Sequence, residues 1–392
     1  MKKLAITVFF ASFSLILIGL IIVMSASNTY SAAKFDSSFH LFNSHLSRVV
    51  FGLLMMAVFS FIPYEWYKKY SKPAVIGAAL LLIITLIFAP QVKGAGRWLN
   101  LGIITIQPAD IAKLILIIHL AYLIERKRED LLDFKKGFMY LFIWVLIIAG
   151  LIFIQPNVST AALIVVISLT MLYVGGAKLK HIFLSSFSLI LAAGSFAMIL
   201  PHSRKRILGF IGTFGEGGEL NHQLKQGILS LGSGGIFGVG IGNSRQSNLF
   251  LPEAYGDFIF AILGEETGFL GAVVVLLFYI VLFVAGILIA KKAKDKFGQM
   301  LAFGISFSII IYAFVNAAVA TGLFPTTGLA LPFISYGGTS IIFLSASIGI
   351  LMNIAIYNHQ TEKDLEKEKQ KQKQNDIEVL KQSTFAFQRV KR

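Results

Sequence analysis

Along the chain, long apolar stretches alternate with short polar ones. Apolar runs fall at about 5–25, 47–64, 73–89, 107–124, 138–154, 158–176, 182–200, 258–290, 299–320 and 338–357. Most approach the roughly 20 residues that a helix needs to cross hydrocarbon about 30 Å thick. Backbone polar groups in that medium must be satisfied within the segment, so the runs are expected to be helices. Basic residues gather on alternate connections: Lys68, Lys69 and Lys72; Arg126, Lys127, Arg128, Lys135 and Lys136; Lys178 and Lys180; Lys291, Lys292, Lys294 and Lys296. Positive loops stay cytoplasmic. The pattern predicts an all-α polytopic membrane protein with about ten transmembrane helices and both termini inside. Segments 26–46, 90–106, 201–257 and 321–337 then face outward, the largest between helices 7 and 8. Residues 1–357 form the transmembrane domain, and 358–392 read as a cytoplasmic charged tail, solvated or disordered.

Composition fits this pattern. Hydrophobic residues make up 56% of 392 and charged residues 14%, against about 25% charged in an ordinary soluble domain. A soluble single-domain fold is excluded. The net charge of +15 is expected to serve inner loops and anionic lipid heads, not nucleic acid. Cysteine is absent, which removes disulfides and thiolate metal sites. The start, Met1-Lys2-Lys3 before an apolar run, is shaped like a secretory signal, but that run is long enough to span and is expected to remain as a first helix.

Charged residues in or beside spans are functional candidates. Asp110 and Lys113, three apart, share one helix face at the outer end of the fourth span. They are either a self-cancelling ion pair or the lining of an outward cavity. Asp257 opens the eighth span beside Phe258, Ile259 and Phe260, where desolvation suits a carboxylate to general-base work near neutral pH. A helix cap is the plainer alternative. Glu265 is expected to share Asp257's face and Glu266 to point the other way, one of them inward in a structural role. Arg204-Lys205-Arg206 place positive charge on the outer side, suiting an anionic ligand or a helix resting on lipid heads. The glycine run Gly232 to Gly242 lacks the strand, helix and ending of a nucleotide loop. It suits close backbone packing or a phosphate-cradling nest. Gly322 to Ser340, rich in glycine and proline, implies broken backbone lining an outward polar cavity.

Several strings together resemble the SEDS (shape, elongation, division, sporulation) glycosyltransferases. They are Gly94-Ala95-Gly96-Arg97-Trp98-Leu99-Asn100-Leu101-Gly102, Gln107-Pro108-Ala109-Asp110-Ile111-Ala112-Lys113, Gly232 to Gly242, Leu251 to Gly271 and Gly322 to Ser340, in the family's order over about 10–357. Leu251-Pro252-Glu253-Ala254, Ile262 to Glu266 and Pro332 to Tyr336 lean toward the division member, with the elongation member as alternative. The sequence departs from the family at Asp110, usually Glu, at Asn157, usually Asp, and at Tyr255-Gly256, usually His-Thr.

The resemblance implies a peptidoglycan glycan-strand polymerase in the bacterial plasma membrane, at the division septum, acting on lipid II and a polyprenyl-diphosphate-linked glycan. It implies Asp257 as catalytic aspartate and Arg97, Asp110, Lys113, Gln226, Glu253 and Ser335 as substrate-binding. A divalent cation (Mg or Mn) with no readable ligand set is implied too, as are a class B penicillin-binding protein and other division proteins as partners. A lipid II flippase and a non-enzymatic division scaffold are the rival classes.

Overall fold

The computed structural model describes residues 1–90, 96–100, 105–199, 204, 222–359 and 372. It is almost entirely helical, as expected. The helices are α1 (Lys2–Phe35), α2 (His40–Phe61), α3 (Tyr64–Phe88), α4 (Pro108–Arg126), α5 (Met139–Ile154), α6 (Val158–Gly175), α7 (Leu179–Ile199), α8 (His222–Gly234), α9 (Ile259–Lys292), α10 (Lys296–Ala320) and α11 (Ser340–His359). A π turn, Phe134–Phe138, leads into α5. A two-stranded antiparallel hairpin, β1 (Leu99–Asn100) with β2 (Thr105–Ile106), precedes α4.

Eight of these helices, counting the π turn with α5, are long and apolar enough to cross a membrane among the described residues. Two expected spans remain, α4 and α7. Helix α4 has 19 residues but carries Asp110, Lys113, Glu125 and Arg126. Helix α7 runs 21 residues, long enough for a crossing. Helix α1 continues ten residues past the apolar run that announced it, to a left-handed Asp36.

Local chemistry sets the ends. Pro108 occupies the first turn of α4, where its missing N–H costs nothing. Gly176 closes α6 in the left-handed conformation at φ 118°. Asp295 caps α10 by accepting from the Gly298 N–H, and the same carboxylate accepts from the Tyr64 hydroxyl at 2.7 Å. Asn353 of α11 donates to the Ser60 carbonyl and accepts from the Tyr64 N–H. These bonds bind the basic ends of α3, α10 and α11 into one layer. Helix α9 packs against α1, α8 and α10, and α4 against α3, α6 and α10; α10 and α11 are the most buried of the long apolar helices.

Helix α9 is broken at Gly268, with φ 70° and ψ −172°, and the glycine run docks into the break. The Val239 and Gly240 amides donate to the carbonyls of Glu265 and Glu266, while Phe269 and Leu270 donate to those of Gly235 and Ile236. The run therefore packs backbone to backbone. The Val239, Gly240 and Gly242 amides are spent on α9. Both glutamates are buried, contrary to the expectation that only one would face inward. The docked loop covers the second side: Glu265 accepts from Ser230, Ser244 and the Arg245 N–H, and Glu266 from Ser25 and the Gly242 N–H. Their role is structural.

Gly238 has φ 82° and stands where a Cβ would run into the Glu266 carbonyl, whereas Gly232 has open space around it. Gly238→Ala is expected to cost about 1–3 kcal/mol through overpacking alone and to lower the thermal midpoint in detergent. Gly232→Ala should leave the midpoint nearly unchanged, and equal midpoints for the two variants would refute the docked-loop account.

Candidate active site: a cavity under the outer loops

A cavity of about 770 Å³ opens between the N-terminal halves of α2 and α4, the middle of α10, the start of α8 and the loops before α4, α9 and α11. Arg97, Asp110, Lys113, Glu253, Asp257 and Ser335 all line it. Gln226 does not; one turn earlier on α8, Gln223 does, and it donates to the Pro252 carbonyl at 3.2 Å. Arg204 is described only as an isolated residue, and Lys205 and Arg206 lie outside the described residues.

Asp257 sits in the last turn before α9. Three successive carbonyls around it are held from outside the loop. The Tyr336 N–H donates to Tyr255 O at 2.9 Å, the Ser335 hydroxyl to Gly256 O at 2.7 Å, and the Asn316 amide to Asp257 O at 2.8 Å. Asn316, on α10, is buried, and its amide also donates to Leu329 O. Asp257 does not cap a regular helix start: the N-cap of α9 is Phe258, with no side-chain cap bond. Glu253 and Phe333 take left-handed φ of 56° and 66°. Such non-glycine conformations cost on the order of 1–3 kcal/mol each and persist where the surroundings over-determine them, often at functional sites.

Ser335, expected to bind substrate, lines the cavity and also holds backbone. Its hydroxyl accepts from the Leu331 N–H at 2.7 Å while donating to Gly256 O, and the residue is 4% exposed. Both of its bonds hold backbone, so it positions the loop.

The cations are similarly engaged. Lys113 Nζ lies 3.6 Å from Asp110 Oδ1 and 4.2 Å from the centre of the Tyr312 ring. Side chains of the pair are about a tenth exposed. Arg97 donates to the Gln155 and Pro156 carbonyls, tying the hairpin before α4 to the α5–α6 turn beside Asn157. Asn157 lines the cavity as an amide where the family pattern has a carboxylate. On the loop, Tyr255 fills the position of the usual histidine. Its ring lies 5.0 Å from Tyr30 and 5.6 Å from Tyr336. Burial, then a hydrogen bond with Tyr30, pushes its phenol above the ordinary range, so it stays neutral.

Arg48, Trp98, Gln107 and Tyr336 also line the cavity and were not singled out from sequence. Arg48 is the one lysine or arginine of α2, in its N-terminal half beside His45.

Fold and cavity define a polytopic α-helical membrane protein with an acidic and basic pocket among its interhelical loops. A family model described as "Cell cycle protein", covering FtsW, RodA and SpoVE, matches residues 6–360, and the chain belongs to this family. It is 36% identical over 344 residues to "Probable peptidoglycan glycosyltransferase FtsW" of Geobacter sp. (strain M18), covering 86% of this chain and 92% of that protein. It is 36% identical over 351 residues to "Stage V sporulation protein E" of Bacillus subtilis (strain 168), covering 88% and 94%. Among solved structures, a chain from "Structural coordination of polymerization and crosslinking by a peptidoglycan synthase complex" superposes with a TM-score of 0.74 at 23% identity, covering 90% and 98%. The Rod shape determining protein RodA of Thermus thermophilus superposes with a TM-score of 0.65, also at 23% identity, covering 89% and 95%.

Removing one partner of a buried ion pair costs about 3–5 kcal/mol because a charge is left uncompensated. Asp110→Ala should therefore lower the thermal midpoint more than the double variant Asp110→Ala/Lys113→Ala. A strictly additive double-mutant cycle would show that the two residues are not coupled.

Proposed function

We propose that this chain is a peptidoglycan glycosyltransferase that extends glycan strands on the outer face of the bacterial plasma membrane. Membership in the family and the names of its relatives support that reading. The observation that carries the chemistry is a carboxylate, Asp257, fixed by its backbone at the wall of a cavity that also holds basic side chains.

The acceptor is the 4-hydroxyl of the terminal sugar of lipid II, and the donor is a glycan linked through an α-diphosphate to polyprenol. Asp257 takes the hydroxyl proton as the oxygen attacks the donor anomeric carbon. The bond from that carbon to the phosphate oxygen breaks, its electron pair leaves on the polyprenyl diphosphate, and configuration inverts to β-1,4. Positive side chains in the cavity favour the leaving charge. Among the described residues, no three His, Cys, Asp or Glu side chains gather as a metal ligand set, and no step here runs through a divalent cation.

The expected orientation accompanies this reading: ten crossings, both ends cytoplasmic, Asp257 outside. The family's description as cell cycle proteins and the FtsW name shared by most of the relatives support a role in septal synthesis. Similarity to a chain of a peptidoglycan synthase complex supports a class B penicillin-binding protein as partner.

In purified protein supplied with fluorescent lipid II, Asp257→Asn should cut polymerisation by two orders of magnitude or more, the scale of general-base catalysis. Unchanged polymerisation would remove Asp257 from the mechanism. Wild-type polymerisation in detergent, with no second leaflet to flip into, would exclude flipping or scaffolding as the sole function. Because the chain has no native cysteine, orientation is open to single-cysteine labelling. Ser37→Cys should react with an impermeant maleimide in intact spheroplasts, and Arg128→Cys only after lysis; the reverse pattern would place Asp257 inside and end the proposal.

A further inference from the structure

The glycosyl-transfer reading needs cationic donors that are still open to the leaving diphosphate. Two expected candidates are engaged: Arg97 on the carbonyls of the α5–α6 turn, and Lys113 between Asp110 and the Tyr312 ring. Arg48 differs. Its guanidinium carbon lies 5.0 Å from the centre of the Tyr336 ring, and the residue lines the cavity. Its Nη1 is buried with no hydrogen-bond partner among the described residues. Buried donors are nearly always bonded, and an unmet one costs about 1–3 kcal/mol. A charged donor within an apolar span costs more and marks a function. The ring under Arg48 belongs to Tyr336, whose N–H holds the Tyr255 carbonyl two residues before Asp257. His45, one turn earlier on α2, packs against the same ring at 5.8 Å. The arginine is thus tied through Tyr336 to the loop that carries Asp257, while the hydrogen-bonding capacity of its Nη1 is unmet. A planar guanidinium presents parallel donors that match phosphate oxygens two at a time, which the point charge of lysine cannot do.

We propose that Arg48 is the diphosphate-binding residue of this cavity, held by Tyr336 so that its guanidinium receives the two-phosphate group of a polyprenyl-linked substrate. The inference rests on the glycosyltransferase reading for the identity of the substrate. When the anomeric carbon–oxygen bond breaks, one further negative charge appears on the diphosphate, and Arg48 compensates it. Tyr336 is a positioning residue: it contacts the arginine and the loop.

The test titrates purified full-length protein in detergent with polyprenyl diphosphate and, separately, polyprenyl monophosphate, neither of which can turn over without a sugar. Wild type should prefer the diphosphate. Arg48→Ala should weaken diphosphate binding roughly tenfold or more, the scale of one charged hydrogen bond, and narrow the preference over monophosphate; Arg48→Lys should fall between. Arg48→Gln, similar in length and uncharged, should match Arg48→Ala at an unaltered thermal midpoint, which covers the case in which the alanine variant folds poorly. Unchanged diphosphate affinity in these variants would overturn the proposal, as would equal losses for both ligands or equal competition by phosphatidylglycerol. Arg48-dependent diphosphate binding by a protein that never polymerises lipid II would instead leave the binding site standing and remove the glycosyltransferase reading.

Discussion

Three backbone carbonyls in a row, those of Tyr255, Gly256 and Asp257, are each gripped by a donor from elsewhere in the fold. That grip is what the site depends on. A carboxylate on a short loop would otherwise sample many positions, and a misplacement of about an ångström at a reacting centre can cost on the order of a hundredfold in rate. Here the donors come from α10 and from the loop leading into α11, both anchored in the bundle. The aspartate side chain stays at the cavity wall while its main chain is held from behind.

The broken backbone around the site serves the same end. Phe333, left-handed and buried, lies against α1 at Gly19, where a Cβ would come within 2.6 Å of its carbonyl oxygen. The Tyr279 hydroxyl donates to the Pro332 carbonyl from α9. The outer end of α1 reaches the other flank: Thr29 donates to Asn248, Ser25 to Glu266, and Tyr30 contacts Tyr255. An over-long first helix, a broken ninth helix and a glycine loop thus form the mounting of one turn of chain. Polar bonds of this kind hold best where water is scarce, because the alternative is an unmet group.

Much of this was legible in the sequence. Apolar run lengths give the helices because lipid leaves the backbone no other arrangement. Glycine clusters mark the breaks, and charges at span ends mark the cavity: Asp110, Lys113, Arg97 and Asp257 do converge there. What periodicity could not supply is which groups are already used. Ser335 stands inside a motif, but only three dimensions reveal both of its bonds on backbone. Helix α8 was hidden within a glycine-rich segment that reads as loop, so Gln226 was chosen where Gln223 faces the cavity. Glu265 and Glu266 were expected to point opposite ways with one of them inward, and the docked glycine loop buries both. Arg48 left one trace, as the one lysine or arginine of α2, which a stricter reading of the positive-inside rule would have flagged.

The central claim is that Asp257 works because its loop is clamped, with Ser335 as part of the clamp. Steady-state polymerisation of lipid II by Ser335→Ala, compared with wild type at equal folded concentration, tests this directly. Losing the bond to Gly256 leaves a buried carbonyl unmet and loosens the base, so kcat should fall roughly tenfold or more with KM little changed. A raised KM at wild-type kcat would instead make Ser335 a substrate contact and contradict the account.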